Sequence, residues 1–311
     1  MKTVGQTPWS ARVPPDRPRQ IEHAAALIRA GKLVAFPTET VYGLGANALD
    51  ARAVERIFVA KGRPRTSPLI VHVDSIEMAR DLAAGWPGAA DILARRFWPG
   101  PLTLVVPKRP EVPDIVTAGL PTVGLRMPAH PVALALIRAA GVPIAAPSAN
   151  RFTELSPTAA AHVAESLAEF VLDGGPSQVG IESTVLSLAG EPLLLRPGVI
   201  PLPEVEALIG PVQMAPPPGE AAHPAPGMHK RHYRPQTPLF LLRQGDCPPQ
   251  GRGAWLRIGR EMPADPRAYA AALYETLHRL DHQGFDWIAV ERPPHTPEWA
   301  GVLDRLQRAA V

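Results

Sequence analysis

Residues 37–50, PTETVYGLGANALD, follow directly on the short apolar run of residues 33–36, LVAF. The stretch places hydroxyls, one carboxylate, a tyrosine and two glycines at the end of a predicted strand. Proteins with α/β folds bind their ligands where apolar strands open into polar, Gly-rich turns. These residues therefore predict an α/β fold with a small-molecule site beside its first strand.

The composition sets broad limits on the class of protein. A chain of 311 residues has room for two domains of ordinary size. No apolar run approaches the ~20 residues that cross a bilayer, and the polar N-terminal 20 residues lack the apolar core of a secretion signal. The lone Cys247 can form neither an internal disulfide nor a zinc cluster. We expect a cytoplasmic protein that does not engage membranes.

The charge is modest but unevenly distributed. The chain has 32 Lys and Arg against 29 Asp and Glu, a net charge of +3. This balance does not indicate a protein that wraps nucleic acid. Basic residues cluster, however, in KGRPR (61–65) and HKRHYR (229–234).

Periodicity and turn residues predict alternating strands and helices. The predicted strands are 33–36, 68–73, 102–106, 123–126, 142–146 and 170–173, with a hairpin of 181–188 and 191–196. The predicted helices are 21–30, 51–60, 75–84, 88–97, 131–140 and 158–166. Such alternation is typical of an α/β sheet.

The composition also predicts three segments. Residues 1–200 form a first domain, and residues 201–237 form a linker or lid, since residues 214–238 are too rich in Pro and Gly for regular structure. Residues 238–311 form a small α/β domain, with strands at 239–242, 254–258 and 287–290 and helices at 266–281 and 297–310.

Several common functional motifs are absent or weak. GLGANA (43–48) matches the dinucleotide fingerprint, but residues 37–42 separate it from the strand that it should follow directly. The chain contains no P-loop, H-E-x-x-H, C-x-x-C or G-x-S-x-G motif. His229 and His232 lie in a Pro-rich segment without acidic or Cys neighbours, which disfavours a metal site.

Two short motifs carry the strongest chemical signal. Lys61 and Arg63 flank Gly62, and two fixed cations suit a polyphosphate, although basic residues at a helix end also complement the helix dipole. Ser148 and Asn150 follow a predicted strand, where they either contact a ligand or form an ordinary turn.

Further candidates are ambiguous one by one. Arg126 lies in an apolar strand and needs an anionic partner if buried, either a substrate carboxylate or an ion pair. The polar runs 38–40 (TET) and 182–184 (EST) fit a site or simple turns and strand starts. Their joint occurrence in this order is more specific than any one of them.

Together these motifs resemble a known family. The series PTETVYGLGANA, AKGRPRTSPLIVHV, FWPGPLTLVV, TVGLRMPAHP, APSANRFTELSPT, GIESTV and LLRPGVI, within residues 21–200, closely resembles YrdC-like threonylcarbamoyl-AMP synthases. Residues 61–63 and 148–150 match the K-x-R…S-x-N signature of the family. PGMHKRHYRP and the C-terminal unit resemble its long, two-domain form.

The resemblance implies a fold, a reaction and a set of partners. The fold would be a twisted, curved mixed sheet with a large basic cavity, followed by a smaller Rossmann-like C-terminal domain. The enzyme, a nucleotidyltransferase, would join L-threonine, bicarbonate and ATP into L-threonylcarbamoyl-AMP and release pyrophosphate. The product serves N6-threonylcarbamoyladenosine (t6A) synthesis in tRNAs that read ANN codons. The tRNA threonylcarbamoyltransferase machinery would accept it, with tRNA itself a further candidate partner. Mg²⁺ would arrive with ATP, and the protein would supply no metal site of its own.

The resemblance also implies roles for individual residues. The signature residues, taken as catalytic, are Lys61, Arg63, Ser148 and Asn150. The implied ATP contacts are Arg63, Ser67, Thr122, Ser148, Ser156, Arg196 and Tyr233. The implied L-threonine contacts are Thr40, His72, Arg126, Ala146 and Ser183.

One hypothesis concerns the linker, and three concern other functions. Tyr233 and its basic neighbours could fold over the nucleotide as a lid that slows hydrolysis of the product. The alternatives to the synthase are an RNA-binding protein, a carbamoyltransferase with another acceptor, and a nucleotide-binding regulator without catalysis. An aromatic content of 5% is poor for base stacking, and a single Cys excludes the zinc-finger module of hydrogenase-maturing carbamoyltransferases. The intact signature disfavours a regulator without catalysis.

Overall fold

The computed structural model describes residues 17–215, 232–243 and 245–311. Its helices are α1 (Arg17–Arg29), α2 (Ala51–Lys61), α3 (Ile76–Leu82), α4 (Gly88–Phe97), α5 (Asp114–Thr117), α6 (Pro131–Ala140), α7 (Leu202–Ile209), α8 (Pro266–Asp281) and α9 (Ala300–Ala309). Its strands are β1 (Val34–Phe36), β2 (Gly43–Asn47), β3 (Ile70–His72), β4 (Leu102–Pro107), β5 (Thr122–Arg126), β6 (Ile144–Ala145), β7 (Phe170–Val171), β8 (Thr184–Ser187), β9 (Leu193–Arg196), β10 (Gln213–Met214), β11 (Leu239–Leu242), β12 (Gly253–Leu256) and β13 (Trp287–Glu291). Among the described helices, none is long and apolar enough to cross a membrane.

Two sheets organise these elements. The large sheet has ten strands in the order β10-β9-β8-β4-β5-β3-β6-β2-β1-β7, with both parallel and antiparallel pairs. The small sheet is parallel throughout, in the order β11-β13-β12. The predicted mixed α/β fold is thus confirmed, as is the predicted hairpin, which β8 and β9 form.

Helices cover both faces of the large sheet. In β1, Val34 and Phe36 join the apolar cluster of α1 and α6, whereas Ala35 joins the larger cluster that includes α2 and α4. Successive side chains of a strand point to opposite faces, so an apolar strand such as β1 is buried on both sides. The resulting rigid sheet holds the strand ends that carry the candidate site residues.

The Gly-rich end of the opening stretch is a strand, not a turn. Gly43–Asn47 pairs antiparallel with β1 and with β6. A Cβ on Gly45 would lie 2.8 Å from a ring carbon of Phe36 and 2.9 Å from a methyl group of Ile144. The glycine therefore allows close packing inside the sheet, and the segment does not form the phosphate-binding turn of a dinucleotide fold.

The helix predicted at residues 158–166 is wrong. Only a single 3₁₀ turn forms, at Ala160–His162. The His162 Nδ1 atom lies 3.3 Å from the backbone N–H of Thr158, and the imidazole stacks on that of His278 at a centroid distance of 4.0 Å. These tertiary contacts outweigh the local helix propensity.

The first part of the predicted linker contains regular structure that the sequence does not predict. Helix α7 begins after Pro201 and buries Val205, and β10 then pairs parallel with β9. Proline is tolerated in the first turn of a helix, because the amide hydrogens there have no intrahelical partner. Residues 216–231 of the predicted linker, with part of its basic cluster, lie outside the described residues.

The C-terminal unit shares an apolar core with the large sheet's loops. Val41, Leu155 and Ile181 pack in one cluster with residues of α8, α9 and the small sheet. Two of these three residues lie next to predicted site residues, Thr40 and Ser156. The unit therefore rests directly on the loops that carry the candidate site.

The stacked imidazoles of His162 and His278 at this contact make stability depend on pH. Burial, and then His162, lower the pKa of His278 from its ordinary value of 6.5 to about 4. Burial also lowers the pKa of His162, although Glu275 opposes that shift. The unfolded chain binds the proton first, so stability is full above pH 6.5 and falls as the pH drops toward 4, by up to about 3 kcal/mol for His278.

We expect His278→Phe, which retains a stacking ring but cannot titrate, to lose less stability than the wild type between pH 7 and pH 5. Urea denaturation at both pH values measures the difference. Equal losses in the two proteins would contradict this role of His278.

Candidate active site

The caps of helix α2 fix the position of the K-x-R motif. Asp50 accepts hydrogen bonds from the N–H groups of Arg52 and Ala53 at the start of the helix. Gly62 ends it in the left-handed conformation, with a φ of 64° that few residues other than glycine adopt readily. Arg63 thus leaves the helix at a defined angle, and its side chain reaches the end of the neighbouring strands.

One cavity gathers most of the candidate residues. The cavity lies at the strand ends and is partly open to solvent. Its walls are formed by Thr38, Thr40, Val41, Gly43, Arg63, Ile70, His72, Arg126, Ala146, Pro147, Ser148, Glu182, Ser183, Arg196, His232 and Tyr233.

All five predicted threonine contacts line this cavity, because the sheet order brings them together. Strand β3 lies between β5 and β6, so that His72 is the register partner of Arg126 on one side and of Ile144 on the other. Ala146 directly follows β6, and Ser183 directly precedes β8. Hydroxyl pairs add polar groups, with the Oγ atoms of Thr38 and Thr40 2.9 Å apart.

Arg126 is held by a buried ion pair. Its Nη2 atom lies 2.7 Å from Oε1 of Glu39, and the two side chains are 4% and 1% exposed. Its Nε also donates to the carbonyl of Gly100 at 3.3 Å. The sequence leaves two partners open for Arg126, a substrate carboxylate or an ion pair. The two are compatible, since the guanidinium is ion-paired on one side and faces the cavity on the other.

His72 adds a neutral imidazole to this wall. Burial, and then the charge of Arg126, lower its pKa from 6.5 to about 3, although backbone groups of Ile144 and Ile70 oppose the shift. The imidazole is therefore uncharged at neutral pH, so the cavity gains a polar group here without a further cation.

Four of the predicted ATP contacts line the same cavity: Arg63, Ser148, Arg196 and Tyr233. Arg63 Nη2 donates to Ser67 Oγ at 3.0 Å and to the carbonyl of Pro68 at 3.2 Å. Burial is the main cause that lowers the pKa of Arg63 to about 10, so it stays cationic at neutral pH. Arg196 donates to both the carbonyl and the hydroxyl of Ser183, at 3.1 and 3.2 Å.

Lys61 and Asn150 do not line the cavity. The Lys61 ammonium donates to the carbonyl of Ser148 at 2.6 Å and also to that of Asn150. Asn150 Nδ2 donates to the carbonyls of Arg151 and Glu154. Both side chains thus brace the S-x-N loop against the end of α2, and their catalytic roles stay predictions.

The remaining predicted ATP contacts lie just outside the cavity. Ser67 supports Arg63 as described above, and Thr122 lines a smaller cavity that shares Ile70 with the first. Ser156 Oγ donates to Glu182 Oε1 at 2.5 Å. The structure therefore connects these residues to the site without placing them on its main wall.

Tyr233 covers the cavity from the side of the C-terminal unit. It is 1% exposed, has a φ of 62°, and its hydroxyl has no hydrogen-bond partner among the described residues. The N–H of Arg234 donates to the carbonyl of Thr153 at 2.9 Å, which anchors the segment after Tyr233. A buried hydroxyl without a partner fits a ligand contact, and the lid role of Tyr233 stays a prediction.

Sequence reasoning missed several residues of the site. Thr38, Glu39 and Glu182 stand out in the sequence only as parts of polar runs, and Ile70 and Pro147 carry no chemical signal of their own. Arg305 belongs to none of the sequence motifs, although its buried guanidinium contacts Glu182 from helix α9. A charged residue on the buried face of an amphipathic helix is a usable signal, but only when that face is already known.

A mixed sheet with an Arg-rich cavity at its strand ends fits an enzyme that acts on small anionic molecules. Comparison with known proteins specifies the family. The family model Sua5_yciO_yrdC, described as Telomere recombination, matches residues 26–198, and the model Threonylcarbamoyl-AMP synthase, C-terminal domain, matches residues 200–311. The chain belongs to the threonylcarbamoyl-AMP synthase family, in its two-domain Sua5 form.

Individual relatives match over nearly the whole chain. The threonylcarbamoyl-AMP synthase of Pyrococcus abyssi is 44% identical over 94% of both chains. That of Bacillus subtilis is 43% identical over 94% of this chain and 93% of its own. A crystal structure of P. abyssi Sua5 complexed with L-threonine superposes with a TM-score of 0.87, at 42% identity and 94% coverage of both chains.

Proposed function

We propose that the cavity holds L-threonine and ATP side by side, and that this enzyme joins them with bicarbonate to give L-threonylcarbamoyl-AMP and pyrophosphate. One observation carries the proposal: all five predicted threonine contacts and four predicted ATP contacts line a single cavity. The P. abyssi relative solved with L-threonine supports the identity of the amino acid.

Arg126 would bind the carboxylate of threonine. A guanidinium has five N–H donors, and Glu39 and Gly100 use only those on one side of Arg126. The ion pair fixes the orientation of the guanidinium before the substrate arrives. The neutral His72 adds no charge that would repel the amino group of the substrate.

Hydroxyl groups would recognise the side chain of threonine. Thr40 faces the cavity from one wall, and Ser183, whose Oγ lies 2.8 Å from that of Thr103, faces it from another. Valine has the same shape without the hydroxyl and would lose the hydrogen bonds that these groups offer. Sites of this kind discriminate strongly against the analogue that lacks the hydroxyl.

The chemistry needs positioning and charge neutralisation more than a protein nucleophile. The threonine amine combines with bicarbonate to give a carbamate and water. A carbamate oxygen then attacks the α-phosphorus of ATP, and the bond to pyrophosphate breaks. Arg63 and Arg196 supply positive charge along this wall, where negative charge collects on the leaving group.

Mg²⁺ would enter with ATP as part of the substrate. No group of three or more His, Cys, Asp or Glu side chains among the described residues could hold a metal ion. The two carboxylates nearest the cavity, Glu39 and Glu182, are each paired with an arginine, Arg126 and Arg305. The ATP phosphates would hold the ion, which would offset charge on the departing pyrophosphate.

The product is an activated acyl group that needs an acceptor. We place the enzyme before the tRNA threonylcarbamoyltransferase machinery in t6A synthesis, and we propose that it works in the cytoplasm. A labile mixed anhydride of this kind favours direct hand-over to the next enzyme.

Mass spectrometry of the reaction with ATP, ¹³C-bicarbonate and L-threonine tests the proposal. We expect threonylcarbamoyl-AMP that carries one ¹³C atom, released with one pyrophosphate, and at least about 100-fold less product with L-valine. Pyrophosphate release that does not depend on the amino acid would contradict the proposed substrate.

A further inference from the structure

Glu182 links the wall of the active site to the C-terminal unit. Its Oε1 accepts from Ser156 at 2.5 Å, and its Oε2 accepts from Arg305 Nε at 2.7 Å and from the Tyr274 hydroxyl at 3.2 Å. Ser156 belongs to the catalytic region, whereas Tyr274 and Arg305 lie on helices α8 and α9. A carboxylate on the cavity wall is thus held from both parts of the chain.

Arg305 also holds the backbone on both sides of this wall. Its Nη2 donates to the carbonyl of Glu182 at 3.1 Å, and its Nη1 donates to the carbonyl of Pro197 at 2.9 Å. Glu182 directly precedes Ser183, and Pro197 directly follows Arg196. One buried guanidinium therefore fixes the two chain segments that present Ser183 and Arg196 to the cavity.

Close packing of helix α9 makes these contacts possible. A Cβ on Gly301 would lie 2.5 Å from the carbonyl oxygen of Gly198, so no larger residue fits there without a shift. Gly301 lies one turn before Arg305 on the helix. The approach of α9 to the segment after Arg196 is thus built into the sequence of the helix.

The same helix contacts the segment that covers the cavity. The guanidinium carbon of Arg305 lies 5.4 Å from the centroid of the Tyr233 ring, in cation–π range. The N–H of His232 donates to the carbonyl of Arg308 at 3.2 Å. Helix α9 therefore contacts both the cavity wall at Glu182 and the segment with Tyr233 that covers the cavity.

The buried ion pair of Glu182 and Arg305 depends on both of its members. Burial opposes ionisation of Glu182, but Arg305 and Arg196 outweigh it and hold the pKa of the carboxyl below its ordinary value. Removing one member of a buried ion pair leaves the other charge uncompensated. Arg305, together with Arg196, therefore stabilises a charged Glu182 on the wall of the cavity.

We propose that Arg305 is a positioning residue of the ATP site, through which the C-terminal unit aligns Glu182, Ser183, Arg196 and the ring of Tyr233. The inference rests on the proposed function, because it assigns this wall to ATP. The C-terminal unit is accordingly part of the active site and not an appended module.

Steady-state kinetics of the full chain test this role. Arg305→Lys keeps the charge, but an ammonium group cannot bind the Glu182 carboxylate, the Glu182 carbonyl and the Pro197 carbonyl in the same geometry. We therefore expect the KM for ATP to rise at least about tenfold. The KM for L-threonine should change by less than about threefold. Of the five predicted threonine contacts, only Ser183 lies in the segments that Arg305 holds. Arg267→Lys is the matched control, since that side chain is 74% exposed and lies in the same unit.

A milder variant keeps the inference testable if Arg305→Lys does not fold. Tyr274→Phe removes one hydroxyl that contacts Glu182, and we expect the KM for ATP to rise about threefold or more with an unchanged melting temperature. An ATP KM within twofold of the wild type in Arg305→Lys, or in Tyr274→Phe if Arg305→Lys does not fold, would overturn the inference. An inactive wild type, measured in parallel, would instead overturn the proposed function.

Discussion

Replacing Arg126 with methionine is expected to abolish L-threonine binding and to lower the free energy of unfolding by about 3–5 kcal/mol. The methionine cannot bind a carboxylate, and Glu39, which is 1% exposed, is left as an uncompensated buried charge. Calorimetric titration with L-threonine measures the first effect, and urea denaturation measures the second.

The double variant Arg126→Met/Glu39→Gln separates these two effects. Removing both charges avoids the unpaired carboxylate, so we expect most of the lost stability to return. Threonine binding should stay absent, because the proposed partner of the substrate carboxylate is still missing. Threonine affinity that returns together with stability would show that Arg126 only supports the fold.

Replacing Arg63 with alanine is expected to lower kcat/KM for ATP by about 10²–10³-fold. Arg63 is buried on the cavity wall, where its charge would stabilise the negative charge that gathers on the departing pyrophosphate. A cation that is itself buried, as Arg63 is, contributes more than the same charge in solvent. Pyrophosphate release at several ATP concentrations measures the effect.

Arg65→Ala is the matched control for Arg63→Ala. Arg65 belongs to the same KGRPR motif, but its side chain is 70% exposed and pairs with Glu55 on the surface. We expect its kcat/KM for ATP to stay within about twofold of the wild type, since surface ion pairs contribute little. Equal losses in the two variants would contradict a specific role for Arg63.

The general plan of the fold could be predicted because apolar strands and helix caps are local signals. Asp50 and Gly62, for example, mark the two ends of α2. The Gly43–Asn47 strand could not be predicted in the same way, because its glycines are explained by the ring of Phe36 against which they pack. Helix α7 escaped prediction because its stability comes from burying Val205 in the core of the large sheet's domain.

The same difference between local and long-range signals separates the site residues that could be predicted from those that could not. Residues within short motifs, such as Arg63 and Ser148, could be found because the motif places them at strand or helix ends. The bracing role of Lys61 could not be foreseen, because its carbonyl partners lie 87 and 89 residues away in the chain. Arg305 is 123 residues from Glu182, and only the packing of α9 brings the two together.

A crystal structure of the enzyme with L-threonine and a non-hydrolysable ATP analogue tests the central claim most directly. The account predicts the threonine carboxylate within hydrogen-bond distance of the Arg126 guanidinium and the phosphates of the analogue beside Arg63 and Arg196. It also predicts that the threonine amino group points toward the α-phosphate, with room between them for one carboxyl group. Either ligand bound outside this cavity, or both bound with the amino group turned away from the α-phosphate, would contradict the account.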